Sequence, residues 1–252
     1  MKIVGIIPAR LQSSRLPEKL LLRETGKPLI QYVWETACSC PALDEVIVAT
    51  DSERIQQVVT EFGGRAELTG EHPSGSDRIA EVTRRCCRDA DIVVNLQGDE
   101  PELEVATIDA LVTSIQASGA DMATIAAPID DPEVVRSPDC VKVVISEAGT
   151  ALYFSRSPIP FPRGQTVEAV MAASRPGPWL LHVGLYAYRR DYLLQLTSTP
   201  PSSLEQLEKL EQLRALQTGG SISVAVVEQA AVGIDTAADY AAFVRRMASR
   251  ID

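Results

Sequence analysis

The run Ile3-Val4-Gly5-Ile6-Ile7-Pro8-Ala9-Arg10-Leu11-Gln12-Ser13-Ser14-Arg15-Leu16-Pro17-Glu18-Lys19 decides how the chain is read. Residues 3–7 are apolar without alternation, the pattern of a strand buried on both faces. They run straight into a polar loop that carries Arg10, Arg15 and Lys19. An amphipathic segment at 28–38 predicts a helix, and VIVATD at 46–51 a second buried strand. The alternation continues with a helix at 53–62 ended by Gly63-Gly64 and a short strand at 66–69. It goes on through a helix at 77–88 with Ser76 as candidate cap, a strand at 92–96, a helix at 107–117 and a strand at 122–127. Strands alternating with helices imply an α/β fold, its mostly parallel sheet covered on both faces. In such sheets ligands bind beyond the carboxyl ends of the strands, so the residues just after each strand are the first suspects.

The second half is less regular. Residues 141–146 and 151–155 predict a hairpin around Glu147-Ala148-Gly149, and 181–188 an extended aromatic-bearing run. The Pro- and Gly-rich stretch 158–178 predicts a long mobile loop. A helix is expected at 204–217, closed by Gly219-Gly220, then a strand at 222–227 and a terminal helix at 236–249 begun by Asp235 or Thr236. No internal repeat or low-complexity tract divides the chain.

The 252 residues suit one large α/β domain, or a main domain with a smaller lobe. Apolar residues at 45% and charged residues at 23% are ordinary for a globular protein. The net charge of −10 argues against binding nucleic acid through a broad basic surface, so any polyanion must meet a local cluster of cations. No run of about 18 apolar residues predicts a membrane span, and Pro8 breaks the first apolar run too soon for a signal peptide. The five cysteines, with Cys38 near Cys40 and Cys86 beside Cys87, lack C-x-x-C spacing and are expected as reduced thiols of a cytoplasmic protein.

Arg10, Arg15 and Lys19 follow the first strand in a loop that is neither a P-loop nor G-x-G-x-x-G, because the glycines are missing. Three cations there suit a triphosphate, and equally describe a solvated basic loop. The strand at 92–96 ends in Gln97-Gly98-Asp99-Glu100-Pro101, which presents either a Mg²⁺ carboxylate or a plain Gly-Asp turn. Asp235 reads as a second metal carboxylate or as a helix cap. Glu71-His72-Pro73-Ser74-Gly75-Ser76-Asp77-Arg78 is a Gly-containing loop whose backbone can approach a ligand, with Arg78 able to reach an anion. His182, Tyr186 and Tyr188 fit a core as well as a site. Glu205, Glu208 and Glu211 fit a solvated helix face.

In order along the chain, IIPAR-x-x-S-x-RLP-x-K at 6–19, GKPLI at 26–30, VIVATD, HPSGSDR, VNLQGDEP, ALYFSR-x-PIP, HVGLYAYR, LE-x-LE-x-LR at 207–214 and GIDT at 233–236 resemble the CMP-Kdo synthetase (3-deoxy-manno-octulosonate cytidylyltransferase) family from end to end. The resemblance implies a Rossmann-like sheet of the nucleotide-diphospho-sugar transferase type, one domain over 1–252 with an inserted sugar-binding and dimerisation lobe near 130–200. It implies CTP and 3-deoxy-D-manno-octulosonate (Kdo) as substrates, Mg²⁺ as cofactor, a homodimer and a role in lipopolysaccharide biosynthesis. It places Pro8, Ala9, Arg10, Arg15 and Lys19 on CTP, Ser74 and Gly75 at the cytosine, and Gln97 between nucleotide and sugar. Asp99 and Asp235 become the metal carboxylates, and Arg78, His182, Tyr186 and Glu211 fall around the sugar acid. Glu18 stands where this family commonly has glycine, and Leu20-Leu21-Leu22 replaces a usual Pro-Leu. The rival readings are the same transfer to sialic acid or 8-amino-Kdo and a non-catalytic nucleotide sensor. A dinucleotide oxidoreductase lacks its glycine fingerprint here.

Overall fold

The computed structural model describes residues 1–13, 15–174, 176–229 and 231–249. Ser14 of the loop motif and Arg175 of the Pro/Gly-rich stretch lie outside the described residues. The elements begin β1 (Ile3–Ala9), α1 (Leu29–Ser39), β2 (Glu45–Thr50), α2 (Glu53–Glu61), β3 (Arg65–Leu68), α3 (Gly75–Cys86), β4 (Ile92–Asn95), α4 (Val105–Ser118) and β5 (Met122–Pro128). They continue α5 (Pro132–Arg136), β6 (Lys142–Ile145), β7 (Ala151–Ser155), α6 (Val167–Ala173), β8 (Leu180–Arg189), α7 (Arg190–Ser198), α8 (Ser203–Glu208), α9 (Gln212–Gln217), β9 (Ile222–Val226) and α10 (Ala237–Ala248). The chain divides into two compact units, one of Met1–Asp109, Arg189–Thr197 and Ala231–Asp252, the other of Ala110–Tyr188 and Ser198–Ala230.

In the first unit the strands lie in the order β3-β2-β1-β4, all parallel. β1 is central and nearly every residue in it is buried, as its unalternating sequence requires. The α/β alternation expected from the sequence is therefore present, with element ends shifted by one or two residues. α2 ends into Gly63, whose φ of 86° is the left-handed turn a Cβ would oppose. The cap of α3 differs from expectation. Ser74, not Ser76, is extended and accepts the Asp77 amide at 3.1 Å, while Ser76 is buried inside the first turn. Two serines two residues apart offer the same signature, and only the chain's approach selects one.

A hydrophobic cluster of Leu29, Ile234, Tyr240 and Phe243, with Leu16 and Leu22 packed against it, ties the loop after β1 to the start of α10. The Leu20-Leu21-Leu22 departure serves this packing through Leu22. α10 is capped by Thr236, in a reciprocal box with Asp239. Asp235 is thus not the cap.

In the second unit β5 runs antiparallel to β8 and parallel to β9, and the β6–β7 hairpin forms as expected around its Gly149 turn. Three local readings change. The 158–178 stretch contains α6, whose Val167 joins Ile129, Val135 and the fully buried Trp179 in a small core. Apolar anchors set among prolines and glycines order it. α5 here and α7 in the first unit, which no periodicity announced, are short helices. The single helix expected at 204–217 is two, because Lys209 turns left-handed at φ 55°.

Candidate active site

The loop following β1 leaves the sheet at the carboxyl end of the central strand and turns over Glu18. That residue takes φ 53°, a conformation that costs a non-glycine residue roughly 1 kcal/mol, and its carboxylate is paired with Arg54. This explains physically why glycine suits the position. The turn starts the helical step Lys19–Leu21 and sends the Lys19 side chain inward. Its ammonium, mostly buried, donates to Asp99 Oδ2 at 2.5 Å, to Asp235 Oδ1 at 3.1 Å and to the Ile234 carbonyl at 2.7 Å. Arg15 reaches the other oxygen of Asp235 at 3.0 Å. Two carboxylates from distant segments thus converge on one cation. Asp99 is placed by the sharp exit from β4 over Gly98, where a Cβ would lie 3.3 Å from Ile7 Cγ2.

A cavity of about 320 Å³ opens here. Pro8, Ala9, Arg10, Arg15 and Lys19 form one side, Ser74, Gly75 and Arg78 another, and Gln97, Asp99 and Asp235 complete it. The structure therefore brings together every residue of the first unit singled out from the sequence. It adds Ser13 and Leu20, which border the expected positions, and His72, Pro73 and Gly98, which stand inside motifs read from the sequence without a role of their own. Arg78 lines the cavity, but its buried guanidinium also donates to Asp51 Oδ2 at 2.5 Å and Thr69 Oγ1 at 2.6 Å, so it braces the wall. Next to Asp99, burial first and the neighbouring charge second push the Glu100 carboxyl up to about 8. Glu100 Oε2 has no partner among the described residues.

His182, Tyr186 and Glu211 gather in the second unit. His182 is enclosed, its ring 4.9 Å from Phe154 and 5.5 Å from Tyr186, with Nε2 3.0 Å from Thr124 Oγ1. Burial lowers its pKa to about 3, which keeps the ring neutral. Burial, then Tyr188 and Glu211, raise the Tyr186 phenol well above its ordinary value. The neighbouring glutamates are not a solvated face. Glu205 holds Arg214 at 2.5 Å, and Glu208 accepts from Ser155 Oγ at 2.7 Å and the Arg156 amide at 3.0 Å. These bonds sit on either side of the break between α8 and α9 at Lys209. Gln212, next to Glu211 in sequence, is buried with its Nε2 unpartnered among the described residues, and the sequence did not flag it.

Among known proteins, a cytidylyltransferase family profile matches residues 4–222. A 3-deoxy-manno-octulosonate cytidylyltransferase of Rhodopirellula baltica (strain DSM 10527 / NCIMB 13988 / SH1) is 48% identical over 252 residues, covering 99% of this chain and 100% of the relative. This chain belongs to the 3-deoxy-manno-octulosonate cytidylyltransferase family. The enzyme of that name from Haemophilus ducreyi (strain 35000HP / ATCC 700724) is 44% identical, with 99% of each chain covered. A solved structure of CMP:2-keto-3-deoxy-manno-octonic acid synthetase complexed with CTP superposes with a TM-score of 0.91 at 42% identity, over 99% of this chain and 100% of that one. The family resemblance seen in the motifs is borne out, and with it the α/β fold and the nucleotidyltransferase class. No helix of the described residues is long and apolar enough to cross a membrane.

Proposed function

We propose that this chain transfers CMP from CTP to Kdo and releases pyrophosphate. The observation that carries this reading is the convergence of Lys19, Arg15, Asp99 and Asp235 in one cavity at the carboxyl end of a parallel sheet. Arg10, Arg15 and Lys19 would hold the triphosphate, and Ser74, Gly75, Pro8 and Ala9 the base and ribose, with short side chains and backbone that let a ring approach. Gln97 would reach both substrates. In the second unit His182, Tyr186 and Glu211 would receive the sugar acid, and in the first unit Arg78 would offer an anion a cation.

The anomeric hydroxyl oxygen attacks the α-phosphorus while the bond to the bridging oxygen of pyrophosphate breaks. The hydroxyl proton is lost to solvent or phosphate, and no covalent enzyme intermediate is needed. The chain's contribution is positioning and charge stabilisation. Arg15 and Lys19 oppose the charge gathering on the leaving group.

Asp99 and Asp235 fit Mg²⁺. They are hard oxygen donors that already share a cation position at Lys19. No cluster of three or more His, Cys, Asp or Glu side chains accompanies them among the described residues, which suits a metal whose other ligands are substrate phosphates and water. When bound, the ion supplies charge neutralisation and alignment of the phosphates. We further propose a cytoplasmic homodimer, joined through the second unit as its lobe, serving lipopolysaccharide biosynthesis. The unpaired state of all five cysteines supports a reducing compartment.

Pyrophosphate release with CTP and Mg²⁺, measured with Kdo, sialic acid, 8-amino-Kdo or no acceptor, tests the reaction. Release with Kdo that a chelator abolishes is expected. Release only with another acid would move the acceptor and keep the chemistry. Asp99→Asn should lower kcat on the order of 10²-fold, and near-normal turnover at saturating Mg²⁺ would overturn the metal assignment.

A further inference from the structure

One wall of the cavity is a loop with no regular structure, residues 69–74, yet it is fastened at three levels to a single helix face. Arg78, Glu81 and Arg85 stand at i, i+3 and i+7 on α3, so their side chains point the same way. All three turn to the segment leaving β3. Arg85 donates to the Leu68 carbonyl at 2.6 Å, and Arg78 to Thr69 Oγ1 at 2.6 Å. Glu81 Oε2 accepts the Gly70 amide at 3.1 Å and lies 2.7 Å from His72 Nε2. Its other oxygen takes Arg85 at 3.0 Å. A carboxylate can only accept, so the His72 proton sits on Nε2 and the ring's orientation is set by Glu81. His72 lines the cavity with Pro73, Ser74 and Gly75, and Glu81 does not. Partial burial opposes charge on Glu81. The bonds from His72 and Gly70, with the Arg85 charge, outweigh it and hold the carboxyl below its ordinary range.

We propose that Glu81 is a positioning residue for the nucleotide: by tying His72 and the Gly70 amide to α3 it fixes the wall against which the base is read. This rests on the cavity being the CTP site. Without Glu81 the Gly70 amide and the His72 ring lose their common anchor. The ordering of the loop must then come from binding energy, which raises KM rather than lowering turnover.

The test is steady-state kinetics of Glu81→Ala, Glu81→Gln, His72→Ala and the Ala–Ala double variant, varying CTP and Kdo separately. Glu81→Ala should raise KM for CTP roughly tenfold, the effect of losing a charge-assisted hydrogen-bond pair. kcat and KM for Kdo should stay within about twofold. Glu81→Gln, which keeps one acceptor for Gly70, should fall between. The double variant should cost less than the two single changes combined, since both cut one link. An unchanged KM for CTP in both Glu81 variants, or full additivity with His72→Ala, would overturn the proposal. A wild-type chain that shows neither CTP-dependent pyrophosphate release nor a CTP-induced melting shift would instead overturn the nucleotide reading beneath it.

Discussion

At Glu100 the sequence and the solvent pull in opposite directions. The residue follows Asp99 in the Gln97-Gly98-Asp99-Glu100-Pro101 run, and burial first and its charged neighbour second raise its carboxyl to about 8. The unfolded chain releases that proton near the ordinary 4.5. Between these values the folded protein holds a proton that the unfolded one has lost, so stability falls as pH climbs through the window and the full penalty stands above about 8. Glu100→Gln removes the titration. Its melting temperature should match wild type near pH 5 and exceed it by roughly 5 °C at pH 8.5. A pH-independent offset between the two would show that Glu100 is not held protonated. Residue chemistry was partly legible in advance. The cations after β1 and the aspartate after β4 were expected because strand exits concentrate ligand groups. Glu100, His72 and Glu81 were not, since their significance depends on enclosure and on partners far along the chain.

At the scale of elements, the hairpin and the α3 wall depend on polar anchors that periodicity does not reveal. Lys142 in β6 is fully buried and donates to the carbonyls of Ser137 at 2.8 Å, Cys140 at 2.5 Å and Arg156 at 2.6 Å. Burial lowers its pKa, and these carbonyls compensate the ammonium. Lys142→Met keeps the stem and strands three acceptors, so the urea midpoint should fall by an amount equivalent to about 3 kcal/mol without a change in m. A midpoint shift under about 1 kcal/mol would mean the carbonyls find other donors. The split of the expected 204–217 helix has the same origin. Its leucine and glutamate spacing is helical throughout, but Glu205 and Glu208 are claimed by Arg214 and by the end of β7. Tertiary context here overrides local propensity.

At the scale of the whole molecule, a chain of net charge −10 gathers Arg10, Arg15, Lys19 and Arg78 around one cavity. A ligand that binds only the folded state stabilises it by about 2.7 kcal/mol at a hundred times its Kd. CTP with Mg²⁺ should therefore raise the melting temperature, and NADH at equal concentration should not. Equal shifts with both would argue for a generic anion site.

By itself the sequence determined the α/β class, the order of strands and helices in the first unit, and the family, because burial periodicity and short motifs are local and survive without knowledge of contacts. The tertiary structure decided which charges meet. Lys19 and Asp235 stand 216 positions apart and share a hydrogen bond where Leu16 and Leu22 pack with Ile234, Tyr240 and Phe243. It also decided that Ser74 caps α3, that Thr236 frees Asp235 from capping α10, and that the Pro/Gly-rich stretch is ordered around Val167 and Trp179. The caps are local bonds chosen by how the chain enters each helix, whereas the meeting of Lys19 with Asp235 and of Val167 with Trp179 joins separate segments, and a pattern of residue types along one chain does not specify such a pairing until the core has closed around it.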